Sequence, residues 1–415
     1  MFSDLPARTP TKKMGSAPAA ETEPRPLRQQ GQLLVAVAFI ISIATAAALY
    51  TLLNPSPRYV EEQKNTARAL AMARDALIGR AAGDDNRPGS LPCPDRVTSI
   101  GTNVPNDGIA DLLVGNECPS YIGRLPWRTL DLPDLRDGSG ERLWYALARA
   151  FRDDDSAQPI NSNSVGNLSV TGSLTANNVI AVVFAPGAVV GSQVRDAANA
   201  NNVANYLEGG NEVLGATAFT AAAPSTGFND QMLAIGSDAL FPVVEARVAR
   251  EARNVLNAFY NDPANGYFPF ANAYGDNTYQ CTDNQHSGRI PRFFADWCKT
   301  DPADPDWKGV TWPGWFYANN WHEVVFYAVA SKCAKPSSPA CSASGGLLTV
   351  TGLPAPNNDI QALIFMPGRS FTGQVRPCGS VTDCLEDAEN TDGDADFNKP
   401  TVTPTVNDRL LVVSP

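Results

Sequence analysis

The sequence predicts an α+β protein: an N-terminal transmembrane helix, then two tandem repeat units, each a helix packed on a small antiparallel sheet with long loops. Three observations carry this expectation. Leu33 to Leu53 is an uncharged apolar stretch. A set of short motifs occurs twice in the same order. Within each copy, apolar residues at helical spacing come first, and short apolar runs stopped by Pro-Gly come later. That succession suits helices segregated from an antiparallel sheet.

The first stretch reads LLVAVAFIISIATAAALYTLL. It gives about 31 Å of helix at roughly 1.5 Å per residue, enough for a bilayer core. The apolar region of a cleaved secretory signal is usually shorter. Arg8, Lys12, Lys13, Arg25 and Arg28 precede the stretch, so the N-terminus is expected to stay cytoplasmic. The expected organisation is a cytoplasmic tail or leader over 1–31, a transmembrane helix over 32–54, and ectodomain units over 55–240 and 241–415.

The formal net charge is −11. An acidic ectodomain argues against nucleic acid as a partner, because phosphate binding needs a concentrated basic surface. The membrane is an expected partner. All eight cysteines follow the apolar stretch: Cys93, Cys118, Cys281, Cys298, Cys333, Cys341, Cys378 and Cys384. An even number on one side suits disulfides in an oxidising compartment. Spacing leaves the connectivity open. Nearest-neighbour pairing gives 93–118, 281–298, 333–341 and 378–384, each clamping a loop inside one unit. No CxxC motif occurs and histidines number two, so zinc is not indicated.

The duplication is the most informative pattern. Ala181-Val-Val-Phe-Ala-Pro-Gly187 matches Ala362-Leu-Ile-Phe-Met-Pro-Gly368, and Gln193-Val-Arg195 matches Gln374-Val-Arg376. Val203 to Glu208 matches Val381 to Glu386, and Asn229-Asp-Gln-Met-Leu233 matches Asn407-Asp-Arg-Leu-Leu411. Weaker matches lie upstream, Gly123 to Pro126 with Gly288 to Pro291 and Trp144 to Ala148 with Phe326 to Ala330. Each copy opens on a helical pattern. Ala67, Leu70, Ala73 and Leu77 share one face, as do Val244, Val248, Val255 and Phe259. Val179 to Phe184 and Gln361 to Met366 read as buried strands. Arg409 to Val413 reads as a closing strand of the second copy.

The N-terminus, Arg28-Gln-Gln-Gly31 followed by an apolar and then an amphipathic helix to Gly79, resembles the type IV pilin and type II secretion pseudopilin superfamily. The resemblance implies a leader cut between Gly31 and Gln32, a β-rich head, and other pilin-like or secretion-system subunits as partners. It also implies a bacterial inner-membrane protein with a periplasmic head. The chain departs from the pattern at Ala36, where the family usually has Glu, and at Gln32, where it has an apolar residue. Pro55 and Pro57 interrupt the helix, since the residue before a proline is pushed from helical geometry. The tip subunit, the K type, also lacks the Glu and carries a large head, so a minor or tip subunit is the better match. The segments Leu91 to Asp95 and Gly123 to Trp127 resemble those of uncharacterised bacterial envelope proteins.

Asp392, Asp394, Asp396 and Asn398 alternate oxygen ligands at every second position, and Glu389 offers a further carboxylate. They are candidate ligands for calcium, which takes six to eight oxygens. The loop is not an EF-hand, because Phe397 stands where Gly is needed. Asn106-Asp-Gly-Ile-Ala-Asp111 is a weaker candidate that an Asn-Asp-Gly turn explains as well. Trp307, Trp312, Trp315 and Trp321 crowd one segment of the second unit, with Trp297 just before them. Exposed, they make a candidate surface for glycan or another envelope protein; buried, they make core. No nucleophile elbow, phosphate loop or HExxH motif occurs. The expected role is a structural or interaction protein of the envelope, without a catalytic site. The alternative is an envelope protein that binds through its aromatic segment without filament assembly.

Overall fold

A computed structural model describes residues 41–43, 45, 57–96, 101–155, 158–263, 265–292, 307, 310–334, 341 and 345–414. The chain divides into two compact units, Met1–Val60 and Glu61–Pro415. In the first, residues 41–43 and 45 are helical, and the Thr45 hydroxyl donates to the carbonyl of Ile41 at 2.9 Å. Both repeats lie in the second, apart from residues 57–60 at the start of the first helix.

The first repeat runs α1 Pro57–Gly83, β1 Ile122–Arg124, β2 Trp144–Leu147, β3 Leu168–Gly172, β4 Ala176–Val179, β5 Ala181–Ala185, β6 Ala218–Ala221 and β7 Gln231–Ile235. The second runs α2 Ser237–Asn261, β8 Ser287–Arg289, α3 Gly314–Ala318, β9 Phe326–Val329, β10 Thr349–Thr351, β11 Ala362–Met366, α4 Val381–Cys384, β12 Asp396–Asn398 and β13 Arg409–Ser414. Each repeat builds a four-stranded antiparallel sheet of the same order, β1-β2-β5-β7 and β8-β9-β11-β13. β5 and β11 are central and buried along their whole length, which is why they read as unbroken apolar runs rather than alternating ones.

Two parts of the expected fold class are overturned. Among the described residues, no helix is long and apolar enough to cross a membrane. The longest, α1, is charged over its exposed side, with Glu61, Glu62, Lys64 and Arg68. The expected transmembrane helix over 32–54 falls mostly outside the described residues, as do the processing residues Gly31 and Gln32. The sheets are also not a single small antiparallel sheet per repeat. β3 pairs antiparallel with β4 but parallel with β6, and β10 pairs parallel with β12. The excursions that flank β5 and β11 on either side thus carry strands of their own.

α1 buries Thr66, Ala69, Leu70, Ala73, Leu77, Ile78 and Ala81. The alanines let other chain segments approach closely, and Ala67 lies on the exposed side. α2 buries Val244, Val248, Val255 and Phe259 and packs against β11 and β13. Its Pro242 lies inside the helix, in the second turn, and removes one N–H from the helical ladder.

The repeats are joined by buried polar contacts. Asn319 accepts from the Ile160 N–H at 3.0 Å through its side chain. Its own carbonyl accepts from Asn161 Nδ2 at 3.2 Å. Arg247 of α2 donates to the Ala82 carbonyl at 2.7 Å, and also to that of Asp84, just past α1. Phe151 meets Phe241 at 6.3 Å between ring centroids.

Disulfides join Cys93 to Cys118, Cys333 to Cys341 and Cys378 to Cys384. Cys281 is bonded as well, and Cys298 lies outside the described residues. Such pairing is what an oxidising compartment permits.

Candidate functional site

The duplicated motifs meet in a duplicated hydrogen-bond frame. In the first repeat Gln193 Nε2 donates to Glu208 Oε1 at 2.5 Å, and the Glu208 N–H donates to Asp230 Oδ2 at 2.9 Å. The Asn229 N–H donates to Glu208 Oε2 at 3.0 Å, while Asn229 Nδ2 reaches the Ala188 carbonyl at 2.7 Å. In the second repeat Gln374 meets Glu386 at 2.9 Å, and the Glu386 N–H meets Asp408 at 3.0 Å. The Asn407 N–H meets Glu386 at 3.1 Å, and Asn407 Nδ2 meets the Arg369 carbonyl at 2.7 Å. Gly187 and Gly368 turn beneath the two asparagines with φ of +66° and +64°. A Cβ on either would run into the asparagine side chain, so both glycines are required.

Asp230 and Asp408 are 4% and 0% exposed. Burial, with Glu208 or Glu386 alongside, pushes each of them up to about 8. Each aspartate therefore keeps its proton near neutrality and offers an O–H toward the neighbouring glutamate. Two adjacent carboxylates would otherwise repel in a poorly solvated place. The frame ties the end of a long excursion back to the Pro-Gly turn from which it left. Sequence reading found these motifs as repeats but gave them no role. Their signal was the recurrence of Gln, Glu and Asn-Asp together in both copies.

In the acidic loop, carboxylate oxygens of Glu389, Asp392 and Asp394 lie within 4.8 Å of one another, all on exposed residues. Burial first, then the charges of Asp392, Asp394, Asp396 and Asp387, raise Glu389 above its ordinary value. Asp392 accepts from the Asp394 N–H at 3.2 Å, and Asp394 from the Asp396 N–H at 2.8 Å. Asp396 and Asn398 belong to β12, and the Asn398 amide is engaged by Asp387 at 3.1 Å. The structure thus brings together three of the five candidate calcium ligands, and Asn398 is turned to another task. Three carboxylates from one loop leave most of a calcium shell to water. The affinity expected is that of weak extracellular modules, about 10⁻⁴ to 10⁻³ M. Calorimetric titration with calcium should show at most such binding, removed by Glu389→Gln; submicromolar binding would contradict this geometry.

The second acidic motif is a loop anchor. Asp95 accepts from the N–H groups of Asn106 and Gly108 at 2.7 and 2.8 Å. Burial pushes Asp95 and Asp111 up to about 6.

Of the two readings of the aromatic segment, surface or core, the described tryptophans follow the second and are buried. Trp307, Trp312, Trp315 and Trp321 are each 6% exposed or less. Trp312 stacks on Phe316 at 4.2 Å and meets Trp307 edge-on at 5.1 Å. Trp307 in turn meets Phe259 of α2 at 5.8 Å. A segment with so few regular elements needs large side chains to fill its interior. Trp297 lies outside the described residues. His322 is buried between Tyr279 and Tyr317. Burial, with the Arg292 and Arg289 charges, lowers it to about 3, so it is neutral in this range.

One cleft of about 370 Å³ opens between α2 and the Pro367–Gly368 turn. Phe241, Pro242, Glu245, Gly368, Arg369 and Arg409 line it. Glu245 is fully buried and binds Arg409 at 2.7 Å through Oε2. Burial pushes it up to about 7, opposed by the nearby Ser162 hydroxyl and the Arg409 and Arg376 charges. Compared with protein-family models, with curated proteins and with solved structures, the chain matches none.

Proposed function

We propose that this chain is an extracytoplasmic structural or interaction protein of the bacterial envelope, and in its narrower form a minor pilin-like or pseudopilin-like subunit presenting a duplicated head. The observation that supports the broader reading is where the duplicated polar residues go. Gln193, Glu208, Asn229 and Asp230, like Gln374, Glu386, Asn407 and Asp408, bond to one another and to nearby backbone. They act as loop frames, which suits a scaffold that holds surfaces in place. Disulfides at three loops add to that rigidity.

The narrower form rests on the N-terminal Arg28-Gln-Gln-Gly31 motif. N-terminal sequencing of the protein from a host with an active prepilin peptidase tests it. Recovery of a chain beginning at Gln32 is the expected result. A chain still carrying residues 1–31 rules out the pilin-like form and leaves the broader one standing.

A further inference from the structure

We propose that Arg68 on α1 binds the C-terminal end of α2 in a second copy of this chain, so that copies join head to tail through the same contact that joins the two repeats. The template lies inside the molecule. Arg247 of α2 donates to the Ala82 carbonyl at 2.7 Å and to that of Asp84, at the C-terminal end of α1. The last carbonyls of a helix have no partner within it. The helix dipole also places partial negative charge there, which favours a cation. Ser370 of the second repeat adds a bond from its hydroxyl to Asn163 of the first at 2.6 Å.

The two helices correspond residue by residue. Thr66, Ala69, Leu70, Ala73 and Leu77 belong to the buried stripe of α1. Glu245, Val248, Ala249, Ala252 and Leu256, each 179 positions further on, belong to that of α2. The same shift carries Arg68 onto Arg247, Ala82 onto Asn261 and Asp84 onto Pro263. Both helices therefore hold an arginine at the same place on the same face.

The contact between the repeats joins unlike faces, the end of α1 on one side and the middle of α2 on the other. Such a heterologous contact leaves one face of each kind unused, and a further copy can repeat it. The first repeat still presents its own arginine. Arg68 is exposed, and among the described residues its guanidinium has no partner. The second repeat still presents its own helix end. Asn261 and Pro263 are exposed, and among the described residues nothing donates to their carbonyls. Val189, which stands in the first repeat where Ser370 stands in the second, is 56% exposed. One difference bears on strength. Phe241, which meets Phe151 across the repeats, has Glu62 in its place on α1. The contact between copies lacks that ring pair and is weaker than the contact within a chain.

The test is sedimentation of the full-length protein in detergent over a range of concentrations, with crosslinking to fix the geometry. Concentration-dependent association is expected. Arg68→Ala should weaken it about tenfold or more, as loss of hydrogen bonds from a charged group does. Its melting temperature should not move, because position 68 is exposed. Ala71→Cys lies about one turn beyond Arg68 and keeps the arginine, and no native cysteine is free to compete. Mixed with Asn261→Cys chains and a short bismaleimide, it should give covalent dimers, and neither variant should give them alone. A wild-type chain that stays monomeric overturns the proposal. So does an Arg68→Ala chain that associates like wild type, or a mixture that crosslinks no more than its separate components. None of these outcomes depends on whether the leader is cleaved, so they stand apart from the pilin-like reading.

Discussion

Lowering the pH from about 8 to 6.5 should stabilise this protein by on the order of 2–4 kcal/mol, and Asp230→Asn with Asp408→Asn should remove most of that gain. Each aspartate has a folded-state value raised to about 8 by burial beside a glutamate. Unfolded, it titrates in the ordinary carboxylate range. A raised folded value means stability is fully present below the unfolded value and is lost as the pH rises through the folded one. Across the window named, the unfolded chain has already released these protons and the folded chain holds them. Asparagine keeps the shape and an N–H donor toward Glu208 and Glu386 while abolishing the titration. Glu245, raised to about 7, adds to the wild-type slope and stays in the variant, so the difference between the two proteins isolates the frames. Chemical unfolding of both at several pH values is the measurement. Parallel pH profiles would mean that the aspartates are charged in the folded state.

Replacing Trp321 by Ala should cost about 3–5 kcal/mol, the cost of removing a large aromatic from a packed interior. Trp321 is 0% exposed and lies in sequence beside His322 and just after α3, whose Phe316 stacks on Trp312 and meets Trp315 at a tilt. A tryptophan kept for contact with a glycan or a partner surface would leave folding nearly untouched when removed. Denaturant unfolding of Trp321→Ala therefore separates the two roles. A change below about 0.5 kcal/mol would restore the surface reading.

What could be read from the sequence depended on whether the relevant energy was local. The run from Ala181 to Ala185 and its partner from Ala362 to Met366 are apolar at every position because each strand is central in its sheet, and burial on both faces leaves its mark on each residue. Val244, Val248, Val255 and Phe259 marked the inner face of α2 by spacing alone. On α1 the small Ala67 matched the period but faces out, since alanine is at home on either side. The pairing of β3 with β6 and of β10 with β12 joins segments far apart in the chain, and nothing in Ala218–Ala221 or Asp396–Asn398 names a partner. The tryptophans were legible as a cluster but not as inside or outside, because composition does not say what covers a side chain. The acidic loop showed its charges, while the capture of Asn398 by Asp387 depends on a strand ending that spacing does not reveal. The carboxyl frames were visible only as recurrence. Their chemistry appears when Glu208 and Asp230, or Glu386 and Asp408, are brought into contact across an excursion.

The grip of Arg247 on the carbonyls of Ala82 and Asp84 has a mechanical meaning. It fastens the far end of α1 to the helix that opens the second repeat, and Asn319 fastens the second repeat to the segment from Ile160. A pull along α1 is handed straight to α2, bypassing the long loops between β1 and β7. The two repeats then share tension as one stiff body, and the loops of the first are spared the stretching that would unthread its sheet strand by strand.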